Sequence, residues 1–194
     1  MYPPGACTWV AQEELTDKLC GAFRPGHFRG VLTVVMKLLH ISMAHRAYFG
    51  RKDFQQAVLI RRMVRDLNVP TRIRVMPTVR EKDGLAVSSR NEYLTDRERT
   101  QAVCLFEALS AARRRYEDGE KRAEKLIESM KDVLAQYPEA EPEYVEIVDR
   151  NTLNRVDRVD SDSVAAVAVH LGGARLIDNM PFAEWNDVFI ADQQ

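Results

Sequence analysis

Gly50-Arg51-Lys52-Asp53 closes a short β-prone run, Arg46 to Gly50, and precedes a periodic apolar segment. A glycine at a strand end lets the backbone approach a ligand, and a helix N-terminus beside Lys52 favours anions. Asp53 could cap that helix or accept ribose hydroxyls, and Gln56, one turn further on, could face the same cleft. A capped turn with a solvated lysine and an exposed amide has the same residues, so both readings stay open on this fragment. Ser88-Ser89-Arg90 gathers two hydroxyls and a five-donor guanidinium in a loop, with Arg80 and Lys82 nearby. Such a cluster can grip phosphates, or be a plain polar turn. His27, between Arg24 and Arg29, could carry a proton, bind an anion or donate to a carbonyl. The four histidines form no HxxxH or HxxE pattern, so no metal cage is expected.

Hydrophobic spacing supplies the elements that would position these groups. Cys7 to Val10 reads as a short strand, and Thr16 or Asp17 as the cap of a brief helix running to Cys20 and ended by Gly21. A Gly- and Arg-punctuated turn, Arg24 to Gly30, leads into Val31, Val34, Val35, Leu38 and Leu39, one face of a helix ending near Ser42. Arg46 to Gly50 predicts a strand. Asp53 opens a helix through Val58, Leu59, Met63, Val64 and Leu67, stopped by Asn68 and Pro70, and Thr71 to Met76 predicts a further strand. That order implies βαβ units, hence parallel strands covered by helices, with ligands beyond the strands' carboxyl ends. After Pro77 a charged loop carries Ser88-Ser89-Arg90-Asn91. Thr95 to Arg115 and Glu120 to Gln136 then read as amphipathic helices. Glu143 to Asp149, Ser163 to His170 and Arg175 to Asp178 predict three strands, with Gly172-Gly173 as a hairpin turn. The expected division is residues 1–77, α/β, and residues 78–194, α+β.

Composition bounds the partners. A chain of 194 residues with 28 Lys and Arg against 29 Asp and Glu has net charge −1, so any phosphate binding must be local. Arg61, Arg62, Arg65, Arg72 and Arg74 lack an interleaved aromatic run and read as solvated faces rather than a nucleic-acid surface. Cys7, Cys20 and Cys104, odd in number and without a CxxC pair, fit a reducing cytoplasm. No apolar stretch reaches the ~20 residues of a membrane span. The start, Met1-Tyr2-Pro3-Pro4-Gly5, lacks the basic and apolar regions of a secretory signal.

Taken together, Met1-Tyr-Pro3, Arg24-Pro-Gly-His-Phe-Arg-Gly-Val31, Arg46-Ala-Tyr-Phe-Gly50, Lys52-Asp53 with Gln55-Gln56, and Ile60 to Leu67 resemble one known family. So do Pro77-Thr-Val-Arg80, Asp83-Gly-Leu85, Ser88-Ser-Arg-Asn91 and Arg175-Leu-Ile-Asp-Asn179. The family is the pantoate–β-alanine ligases, nucleotidyltransferases with a Rossmann-like fold, and the resemblance covers essentially the whole chain. It implies a partial Rossmann-like domain, a parallel sheet with helices, followed by the α+β domain. The implied chemistry is attack of the pantoate carboxylate on the ATP α-phosphorus, giving pantoyl adenylate and pyrophosphate. The β-alanine amine then attacks that anhydride, with Mg2+ assisting the first step. Gly50 and Asp53, with Arg51 beside them, would hold the ribose; Lys52 would hold phosphate, and Gln56 would hydrogen-bond pantoate. Val79 and Val87 would flank adenine through backbone groups, while Ser88, Ser89 and Arg90 would close over the triphosphate. Lys52, Ser88, Ser89 and Arg90 are thus the implied catalytic groups, and a homodimer is the implied assembly.

Arg51 stands where the family commonly has an acid, Ala44-His45 replaces a usual Pro-Asp, and Val87 a Met or Leu. The family's His-x-Gly-His motif, whose histidines stabilise phosphates and donate a proton, occurs nowhere in this sequence. Neither does the glutamine that binds pantoate and β-alanine. The chain is therefore expected to be an N-terminally truncated form, inactive alone in ligation, with an exposed sheet edge and a tendency to self-associate. A non-catalytic module with residual nucleotide affinity through Lys52, Ser89 and Arg90 is the competing reading, and an RNA-binding module built on Arg61 to Arg74 the weakest.

Overall fold

The computed structural model describes residues 1–183, and these fall into two compact units, Met1–Met76 and the residues from Pro77 onward. In the first unit, α1 (Cys20–Phe23) and α2 (His27–Ser42) precede β1 (Arg46–Gly50), α3 (Phe54–Asp66) and β2 (Arg72–Met76). β1 and β2 pair in parallel from Arg46 against Arg72 to Gly50 against Met76, the pairing that a βαβ crossover imposes. α2 buries Leu32, Val35, Met36 and Leu39, and α3 buries Ala57 through Ile60 with Met63 and Val64. On α3 the face read from the sequence meets this core at Val58, Leu59, Met63 and Val64, while Leu67 beyond the helix end is exposed. On α2 the expected face is rotated: of its five residues only Val35 and Leu39 are buried, Val31 and Val34 are half-buried and Leu38 is exposed, because Leu32 and Met36 take the inward positions.

Four local expectations are overturned. Cys7 to Val10 forms no strand, because the Val10 N–H goes to Thr33 Oγ1 on α2 (2.9 Å) rather than to a neighbouring strand. Trp9 there stacks with Tyr2, ring centroids 6.3 Å apart, and lies 4.9 Å from the Arg29 guanidinium. Thr16 does not cap a helix running to Cys20: its hydroxyl donates to Gln12 O (2.8 Å), and α1 begins at Cys20. Gly21 lies buried inside α1, where an added Cβ would fall 1.6 Å from Thr16 O, so the glycine marks a close crossing and not a helix end. α2 begins four residues earlier than the apolar spacing indicates, because Gly26 at φ 76° supplies its N-cap.

In the second unit a loop leads to α4 (Asp96–Gln101), α5 (Cys104–Glu117) and α6 (Ala123–Leu134), then to an antiparallel sheet of β3 (Ala140–Asp149), β4 (Ser163–Leu171) and β5 (Ala174–Pro181) in that order. The helix expected over Thr95 to Arg115 divides at Ala102 and Val103, both at ψ −19°, so a capped helical turn and a core helix follow one another. Thr95 and Glu98 form a capping box on α4. Leu105, Leu109 and Ala112 of α5 and Leu126, Met130 and Leu134 of α6 pack on Ile147, Val167, Val169 and Leu171, the apolar face of the sheet. Gly172 makes the hairpin turn at φ 54°, with the Glu98 carboxylate where a Cβ would sit.

Candidate functional site

Gly50 ends β1, and Arg51 to Asp53 form a single 3-10 turn that delivers the chain into α3. The candidate residues Gly50, Arg51, Lys52 and Asp53 therefore lie together at the carboxyl end of a parallel strand, where α/β sheets receive ligands. Asp53 occupies the N-cap position at φ −87° and ψ 60° but makes no side-chain cap bond, against the capping role open to it from sequence; its carboxylate is exposed. Gly50 has an ordinary extended backbone, φ −74° and ψ 135°, and an added Cβ would meet nothing within 4 Å. Its lack of a side chain answers no demand of the surrounding fold and leaves open space over the strand end.

Gln56 is half-buried at the start of α3. Its neighbour Gln55, which sequence reasoning passed over, is 4% exposed and its Nε2 donates to Leu15 O (2.9 Å) and Lys18 O (2.7 Å). That amide ties the segment before α1 to the first turn of α3. The only signal for it was the paired Gln55-Gln56, and the amphipathic pattern does not distinguish which amide points inward. At His27, Arg24 Nη1 lies 3.0 Å from Nε2, and a guanidinium can only donate, so that nitrogen accepts. His27 also packs on Phe28 at 5.0 Å between centroids.

The remaining candidates lie in the second unit. Val79 and Val87 come together across a tight loop, the Val87 N–H donating to Val79 O at 2.9 Å, and both side chains are exposed. Ser88 accepts the Arg90 N–H on its Oγ (3.2 Å) and so caps the 3-10 turn Ser89–Tyr93, which presents Ser89 and Arg90 to solvent. Arg80, a neighbour considered for phosphate, is engaged elsewhere: it forms a two-pronged bond to Asp178 on β5, at 2.5 and 3.0 Å. Arg99 on α4 bonds Glu81 (2.7 Å) and Asp83 (2.8 Å), and holds both carboxyls below their ordinary range. Asn91 Nδ2 adds a bond to Glu81 Oε1 (3.0 Å). Asp178 entered the sequence reading only as part of Arg175-Leu-Ile-Asp-Asn179, with no role given to it, and Arg99 did not stand out, because each is distant in the chain from the loop it holds.

Arg62 and Arg65 both pair with Asp66, so this part of the basic run is a solvated helix face whose charge one carboxylate partly offsets. Burial pushes the Cys104 thiol up to about 12, an inert core group rather than a nucleophile. Among the described residues no helix is long and apolar enough to cross a membrane.

The pantoate-beta-alanine ligase family model matches residues 1–181. The chain belongs to the pantoate–β-alanine ligase family. It is 51% identical over 179 residues to the pantothenate synthetase of Thermotoga petrophila, covering 92% of this chain and 64% of that protein. With the pantothenate synthetase of Roseiflexus castenholzii it shares 52% over 179 residues, again 92% and 64% of the two chains. This chain thus spans 64% of the length of these relatives. The crystal structure of the Thermus thermophilus pantothenate synthetase superposes with a TM-score of 0.91 at 42% identity, over 95% of this chain and 67% of that one. The Francisella tularensis pantoate–β-alanine ligase, solved in complex with β-γ ATP and β-alanine, gives 0.69 at 32% identity, over 93% and 60%. The mixed architecture, parallel strands with helices followed by an antiparallel three-stranded sheet, is that of these structures.

Proposed function

We propose that this protein acts in the ATP-dependent ligation of pantoate and β-alanine to pantothenate through a pantoyl-adenylate intermediate. The observation that carries the reading is family membership over residues 1–181. The open strand end at Gly50 and the exposed Ser89 and Arg90 agree with it. Lys52 and Arg90 would draw charge off the phosphates as pyrophosphate leaves, and Ser88 and Ser89 would supply hydroxyl donors. Gly50 and Asp53, beside Arg51, would receive the ribose, Val79 and Val87 the adenine, and Gln56 the pantoate hydroxyls or carboxylate. Such catalysis needs positioning and charge neutralisation and no protein nucleophile.

Magnesium would arrive with the nucleotide. Among the described residues no group of three His, Cys, Asp or Glu side chains could cage a metal ion. Mg2+ ordinarily keeps several waters and leans on substrate phosphates, with one or two carboxylates in support, and Asp53 is the carboxylate at this turn. When bound it neutralises phosphate charge; the residues above do the orienting. The protein is assigned to the cytoplasm, where its three cysteines stay reduced, and to a homodimer, which sedimentation at micromolar concentration tests.

The deciding experiment supplies ATP, β-alanine and pantoate labelled with 18O in its carboxylate. Attack of that carboxylate on the α-phosphorus, followed by amine attack on the acyl carbon, leaves one labelled oxygen on AMP. Pantothenate formed with unlabelled AMP removes the adenylate. ATP binding by calorimetry without any pantothenate supports instead the nucleotide-binding module.

A further inference from the structure

The geometry points to Arg80 as a positioning residue: through Asp178 it sets the Val79–Val87 loop and the Ser88–Arg90 turn in their ligand-ready arrangement before any nucleotide arrives. This rests on the reading above that the loop receives ATP.

The two Nη groups of the guanidinium donate four hydrogen bonds. Nη1 donates to Asp178 Oδ2 (2.5 Å) and to Gly84 O (2.9 Å), and Nη2 to Asp178 Oδ1 (3.0 Å) and Asn179 O (3.4 Å). Its carbon lies 4.8 Å from the Phe106 ring centroid on α5. Asp178 is 3% exposed and is itself fixed by the Asn179 N–H at 2.7 Å. One side chain thus joins both ends of its own loop, at Arg80 and Gly84, to β5 and α5. Gly84 completes the seat, since at φ +95° it lies where a Cβ would fall 2.0 Å from the Phe106 ring. From Arg80 the restraint passes along the Arg80–Ala86 bridge to the Val87–Val79 bond, and through Asn91, which bonds Ala86 O at 3.2 Å, to the Ser89–Tyr93 turn. A carboxylate with this little water, bound bidentately to a planar guanidinium, holds direction as well as distance. Lysine, a single point charge, cannot reproduce four bonds in one plane.

The experiment uses the full chain with Arg80→Lys and Asp178→Asn. Amide hydrogen exchange reads the loop, and ATP titration by calorimetry reads the ligand. Expected are faster exchange at the Val87 amide with β4 amides unchanged, and ATP affinity weakened about tenfold to a hundredfold, the range for losing a charged hydrogen bond. Combining the two substitutions should weaken ATP no further than Arg80→Lys alone, since that substitution already breaks the Arg80–Asp178 pair. Protection of Val87 that survives both variants overturns the proposal, and so does parental ATP affinity in a variant whose loop has lost protection. If the parent chain binds no ATP, the exchange result still decides whether Arg80 sets the loop, and only the nucleotide reading falls.

Discussion

At Gly50 the backbone is extended and an added Cβ would meet no atom within 4 Å; at Gly84 φ is +95° and an added Cβ would fall 2.0 Å from the Phe106 ring. Both glycines belong to segments that carry candidate ligand-binding residues, and both stand where the family resemblance has glycine. The second is required by the fold, for its left-handed backbone and its contact with an aromatic ring. The first is required by nothing in the surrounding protein. A glycine that folding does not need is the stronger pointer to a ligand, and a glycine that folding does need says how its loop is anchored.

That contrast breaks first if Gly84→Ala is tolerated. The substitution should cost about 2–4 kcal/mol, the sum of overpacking against Phe106 and a positive φ, read from the urea midpoint. A midpoint within error of the parent would mean that the ring has room to turn away.

Lys52→Ala and Arg90→Ala carry the next effect, one in each segment. Each should weaken ATP about tenfold to a hundredfold by calorimetry, with little change in melting temperature, because a charged side chain on a surface turn contributes little to folding. A fall in melting temperature with ATP affinity intact would make that residue a support of the fold and not a ligand contact.

Gly50→Ala should leave stability within about 0.5 kcal/mol of the parent, since the backbone is ordinary and the space open. It should weaken ATP severalfold if the space is the ligand's. Equal stability and equal affinity would return Gly50 to a plain strand end.

The smallest effect is a control outside both segments. Glu143 on β3 is held below its ordinary 4.5 by Arg175 first and also by His170. A depressed carboxyl stabilises the fold fully above its unfolded value, and that contribution is lost as pH falls through the lowered folded value. The parent's melting temperature should therefore drop on acidification below about pH 4.5, and Glu143→Gln should flatten that drop while leaving ATP affinity alone. A steep drop that persists in Glu143→Gln would assign the acid sensitivity to other carboxylates.

Much of the fold was legible along the chain. The α3 face, the β1 and β2 runs, the Gly172-Gly173 hairpin and the three late strands follow from periodicity and turn residues, which act over a few positions. The errors share one cause. Cys7 to Val10 has strand composition, yet a strand exists only where another chain segment offers a ladder, and here Thr33 took the amide instead. Thr16 has the right type for a cap, but Gln12 O claimed its hydroxyl.

The sequence by itself determined the family, the order of elements, and the placing of Gly50, Lys52, Asp53, Ser89 and Arg90 at turns and strand ends, because residue type and local spacing decide these. Only the tertiary structure decided which charges were already spoken for. Arg80, Arg90 and Arg99 are the same residue within twenty positions of chain. One is closed on Asp178, 98 residues away, one is exposed, and one bridges Glu81 and Asp83. A guanidinium's role depends on which carboxylates folding brings within about 3 Å, and sequence spacing does not encode that distance.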